Sequence, residues 1–124
     1  MNTWINLAFG GLAGTFARYL LASAVNRSLG AGFPYGTMAV NLSGCLLVGV
    51  FDGLAEARFL IGPAGRLLLM TGFCGAYTTF STLMLESSHL IRDGETLRAF
   101  LNFMGSGAAG FILFRFGIYL GTYL

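Results

Sequence analysis

The chain has 124 residues, of which 56% are hydrophobic and 10% charged, with a net charge of +2 and no lysine. A mean hydropathy of +0.75 excludes an ordinary soluble domain, and the scattered arginines behind a pI near 8.8 form no basic patch of the kind that binds nucleic acid. The composition is that of an integral membrane protein.

A membrane-spanning helix needs roughly 20 predominantly apolar residues. Four stretches satisfy this, at about 4–25, 36–54, 67–91 and 97–122, and together they make one membrane domain over 1–124. The first has no positive segment before it and reads as a retained span rather than a cleaved signal. Within it Arg18 lies near the exit, where an arginine either snorkels to the interface or holds an anion at a pore mouth. In the second span the Asn41 amide is suited to donate to an anion or to bond across helices. Ser43 is expected to bond back to its own helix. Asp52 and Glu56 read as interfacial, and Cys45 and Cys74, both inside apolar spans, read as packing residues rather than a disulfide framework.

The third stretch is interrupted by a run of glycines, hydroxyls and aromatics from Thr71 to Thr82. Irregular backbone at membrane depth is tolerated only where it is buried in protein or lines a polar cavity. The helix is expected to stop near Thr71 and restart near Thr79. That would expose carbonyls around Gly75 to Thr78, which suit a small hard cation, and N–H groups at the second half-helix, which suit an anion. Phe80 could present a positive ring edge to an anion. Beyond the interruption Thr82 and Glu86 share a helix face with Ser81 beside them, a polar track that His89 continues to the surface.

The fourth stretch carries Gly105, Gly107 and Gly110 as a small face, and Arg115 without a surrounding motif. Three G-x-x-x-G pairs, Gly10/Gly14, Gly49/Gly53 and Gly117/Gly121, predict close helix packing. No cluster of metal-ligand spacing, no paired nucleophile and no phosphate loop is present, so the chain is not read as an enzyme. Four spans with short links place both termini on one side. Arg58, Arg66 and Arg115 then oppose Arg18, Arg27, Arg92 and Arg98, a bias too small to fix orientation. A chain inserted both ways can assemble as an antiparallel homodimer with its axis in the membrane plane.

The sequence resembles the Fluc/CrcB fluoride channel family from end to end. The matching segments are Gly10-Gly11 to Arg18-Tyr19, Gly36-Thr37 to Asn41 and Gly44, Gly72-Phe73-Cys74-Gly75 with Thr79-Phe80-Ser81-Thr82, and Gly105-Ser106. The resemblance implies an all-α membrane protein of four helices per subunit, with the third helix broken at its centre. It further implies a dual-topology homodimer with two antiparallel fluoride pores, and a structural Na⁺ at the dimer centre held by the carbonyls of Gly75 and Thr78. Carried onto this chain, Asn41, Phe80, Ser81, Thr82, Glu86 and Ser106 would line the pore and Arg18 a vestibule, in the cell's inner membrane. Two positions depart from the family pattern: Leu83 stands where a second phenylalanine is usual, and Gly110 where span four often has a hydroxyl. A small dual-topology multidrug exchanger is similar in size, but its proton coupling needs an acid in span one, and none is there. A membrane scaffold would leave the interruption without a purpose.

Overall fold

The computed structural model describes residues 2–124. It contains four helices long and apolar enough to cross a membrane. The first two are α1 (Thr3–Leu29) and α2 (Tyr35–Glu56). Gly30 ends α1 with φ of +84°, a left-handed conformation that glycine adopts without steric cost, and its N–H returns to the Asn26 carbonyl at 2.8 Å. The Asn26 side chain then accepts from Gly36 N–H at 2.9 Å, which ties the end of α1 to the first turn of α2.

The third span, Pro63–Arg92, is composite. The short helix α3 (Pro63–Gly65) has proline in its first turn, where the missing N–H is not needed. A π-helical stretch, Arg66–Cys74, follows, then α4 (Gly75–Tyr77) and α5 (Phe80–Arg92). Only Thr78 and Thr79 are extended, with ψ of 158° and 110°. Helical structure therefore does not stop near Thr71, as expected, but continues in a widened form through Cys74 and on to Tyr77. Widening lets the N–H groups of Arg66–Cys74 stay in helical bonds, so the first part of the glycine-rich run is accommodated without exposing its amides. The fourth span is α6 (Thr96–Tyr123), reached by a tight turn through Gly94 at φ +79°.

Lipid tails are as apolar as leucine, so membrane helices associate through close backbone packing rather than a hydrophobic drive. The glycine pairs supply it here. On α2 and α6 they interlock: a Cβ at Gly49 would stand 3.1 Å from Gly117 Cα, and one at Gly53 would stand 3.0 Å from the Gly121 carbonyl carbon. On α1, a Cβ at Gly10 would meet Gly72 Cα at 3.0 Å, and one at Gly14 would meet Tyr77 N at 3.1 Å. Gly72 thus serves contact with α1. The expected small face of α6 is only partly used, because Gly110 packs near Cys45 while Gly105 and Gly107 have open space where a side chain would be.

The α5–α6 seam buries Leu83, Ser87 and Leu90 against Ala99, Asn102 and Ser106. The outer surface is rich in large apolar side chains, Trp4, Phe9 and Phe111 among them, as lipid contact requires.

Candidate functional site

The extended link at Thr78–Thr79 leaves backbone groups that no helix can satisfy, and side chains from three elements converge on it. Asn41, from α2, donates through Nδ2 to the Thr79 carbonyl at 3.1 Å and accepts through Oδ1 from Thr79 N–H at 2.7 Å. Arg18, from α1, donates through Nε to the Ala76 carbonyl at 3.0 Å. Thr78 turns back on its own helix, its N–H and hydroxyl both reaching the Cys74 carbonyl, at 3.1 and 2.9 Å. Thr79 caps α5: its Oγ1 accepts from Thr82 N–H at 3.2 Å and donates to Thr82 Oγ1 at 3.0 Å. Among the described residues, no hydrogen bond reaches the carbonyls of Gly75 or Thr78.

Ser43 bonds back to the Val40 carbonyl at 3.1 Å, as its sequence position predicts, and also meets the Tyr77 hydroxyl at 2.8 Å. Tyr77 stacks on Phe73 with ring centroids 5.4 Å apart. These contacts hold the residues before the link against α2.

Two cavities flank the link and divide the residues that the sequence singles out. One, of about 490 Å³, is lined by Asn41, Phe80, Ser106, Leu83 and the link itself, including Gly75 and Thr78. Ser106 is 7% exposed, and its hydroxyl has no hydrogen-bond partner among the described residues. Asn41 spends one amide hydrogen on Thr79 and retains a second. Phe80 is 71% exposed, so its ring borders this cavity without being enclosed.

The other cavity, of about 180 Å³, is more polar than the first and lies on the α1 side. Arg18, Thr37, Thr82 and Glu86 line it. Glu86 also borders a larger opening with His89, Arg92 and Arg98, so it is the residue that this opening shares with the Thr82 cavity. One carboxylate oxygen of Glu86 is buried and without a partner among the described residues. Ser81 is exposed and lines neither cavity, so the structure does not gather it with Thr82 and Glu86. Glu56, expected at the interface, is exposed and pairs with Arg66 at 2.6 Å.

Sequence reasoning did not single out Thr37, Ser87 or Asn102. Asn102 is 0% exposed and donates to Ser87 Oγ at 3.0 Å. Asn102 and Ser106 are one helical turn apart on α6, a spacing that points a polar seam at α5.

A family model described as "CrcB-like protein, Camphor Resistance (CrcB)" matches residues 5–118. A protein of Maridesulfovibrio salexigens named fluoride-specific ion channel FluC is 43% identical over 121 residues, covering 98% of this chain and 96% of the relative. A second of that name, from Chlorobaculum tepidum, is 52% identical over 110 residues, 89% of this chain and 86% of the relative. A third, from Chlorobium phaeobacteroides, is 47% identical over 111 residues, 90% and 86% respectively.

Proposed function

The chain belongs to the CrcB-like protein family, and from that membership we propose that it is a fluoride-selective channel. It is a multi-pass membrane channel rather than an enzyme. The single observation that carries the reading within the structure is the cavity that brings the spare Asn41 amide hydrogen, the unpartnered Ser106 hydroxyl and the Phe80 ring to one extended link. Fluoride is small and strongly hydrated, so passage requires closely placed donors in exchange for water, and a narrow rigid passage penalises larger halides.

In this reading Asn41, Phe80, Ser81, Thr82, Glu86 and Ser106 line the route and Arg18 faces a vestibule. Two observations support a second copy of the chain: Phe80 is largely uncovered by its own subunit, and Ser81 lines no cavity within it. The weak arginine bias is compatible with insertion in both orientations, giving an antiparallel homodimer with two pores. The link between Tyr77 and Phe80 is then the break of the third span, and it lies at the dimer centre.

A structural Na⁺ fits the donor set there. The unpartnered Gly75 and Thr78 carbonyls are hard oxygen ligands on one wall, and two oxygens are too few for a hard cation, so the partner's pair would complete the shell. The Gly75 and Thr78 carbonyls would hold such an ion, which would supply positive charge at the link. Fluoride enters acidified cells as neutral HF and dissociates in the more neutral cytosol, so a passive pore in the inner membrane exports the trapped anion with the help of the membrane potential.

Proteoliposomes loaded with fluoride, driven by a K⁺/valinomycin potential and followed with a fluoride electrode, test the proposal. Rapid voltage-driven fluoride release with negligible chloride release is expected. Proton-coupled drug uptake without fluoride release would replace the channel with an exchanger.

A further inference from the structure

We propose that Cys45, Cys74 and Met70 form a binding site for a soft monovalent metal ion such as Ag⁺ within the cavity that carries Asn41 and Ser106. The three sulfur-bearing side chains come from α2 and from the π-helical stretch, and all line that one cavity. Both thiols are free. Cys74 is buried, and Cys45 points its sulfur at α6, where a Cβ on Gly110 would stand 3.1 Å from Sγ. Glycine at 110 therefore leaves the sulfur face of the cavity uncrowded.

The chemistry selects the ion. Thiolate and thioether sulfur favour soft ions such as Cu(I), whereas hard cations take oxygen ligands. Most of the cavity wall is apolar, with Val48, Leu83, Phe103 and Phe111 among its lining. An isolated charge is costly in such surroundings. A monovalent ion avoids that cost: it forms one metal–sulfur bond as one thiol releases its proton to water, so the product is neutral. The second thiol and the Met70 thioether complete the coordination by donating lone pairs without changing charge, and no oxidation or reduction is involved. The site is separate in kind from the Gly75 and Thr78 carbonyls, whose oxygens a soft ion does not prefer.

Its effect on transport rests on the channel reading, because the same cavity would carry fluoride. Binding is tested independently of transport. Purified full-length protein in detergent is titrated with silver nitrate in chloride-free buffer, following the ultraviolet sulfur-to-metal charge-transfer band and the metal content by mass spectrometry. Stoichiometric binding is expected in the wild type. The band should be lost in Cys45→Ala and in Cys74→Ala, and weakened in Met70→Leu, with each variant eluting as the wild type does. Cys45→Ser and Cys74→Ser serve in place of any alanine variant that elutes differently. Persistence of the band in both single-cysteine variants, or only non-stoichiometric uptake, overturns the site. In proteoliposomes Ag⁺ should block fluoride efflux by the wild type but not by Cys45→Ala. No efflux even without silver would instead count against the channel reading, and the binding titration would still decide the metal site.

Discussion

The Asn41 amide pairs with both backbone groups of Thr79, substituting for the helical partners that the extended link removes. One side chain therefore supports the link and also offers a donor to the cavity. Asn41→Ala strips the N–H and the carbonyl of Thr79 together and should cost up to about 6 kcal/mol, from roughly 1–3 kcal/mol for each group left unpaired away from water. Thermal unfolding in detergent measures the loss, and fluoride efflux should fall with it. A variant as stable as the wild type would show that water replaces both bonds.

Ser106 separates transport from folding. Its hydroxyl is buried without a partner among the described residues, so Ser106→Ala removes an unsatisfied polar group and should change stability by no more than about 1 kcal/mol, in the stabilising direction if at all. Fluoride efflux should nevertheless drop. Unchanged efflux would take Ser106 out of the ion path.

The glycine pairs predict a sharp positional contrast. Gly49→Val places branched carbons against Gly117 Cα and Ile118 N, each 3.1 Å from the first added carbon, with helix backbone that has no room to move. Folded protein should be lost, seen as the absence of a monodisperse peak on size exclusion. Gly11→Ala, on a surface with nothing within 4 Å, should elute normally.

Leu83 is buried and lines the cavity that holds Asn41 and Ser106, at the position where the family resemblance implies a second phenylalanine. Leu83→Phe adds a positive ring edge beside open cavity volume rather than against filled core. Flux assays should find fluoride release kept or raised. A large loss would mean that the anion takes another route in this chain.

Much of this architecture is legible in the sequence, and what is not has physical reasons. Length and hydropathy mark the four helices, and the pairs Gly10/Gly14, Gly49/Gly53 and Gly117/Gly121 mark the contacts, because small residues at helical spacing leave a one-dimensional trace. Asn41 and the interruption are visible as polar residues where aliphatics belong. The π form of Arg66–Cys74 is not, since an apolar run looks alike whether its bonds skip four residues or five. Nor is the division of Asn41, Phe80 and Ser106 from Arg18, Thr82 and Glu86, which depends on how α5 is rotated after Thr79. The Ser87–Asn102 bond joins single polar residues on different helices, and no motif announces it.

The π-helical stretch also bears on how the protein tolerates changes in chain length. Gly75 N–H reaches the carbonyl of Met70, five residues back, as well as that of Gly72. Each such turn holds more residues than an α turn for the same advance along the axis. Arg66–Cys74 thus carries surplus chain in a segment anchored at both ends, by the loop before Pro63 and by the link after Tyr77. A one-residue deletion inside it has a ready way to be absorbed, by tightening toward α geometry, whereas one inside α2 or α6 would rotate an entire glycine seam out of register. Insertions and deletions within the spans should therefore be filtered by helix type, with the widened turn acting as an expansion joint.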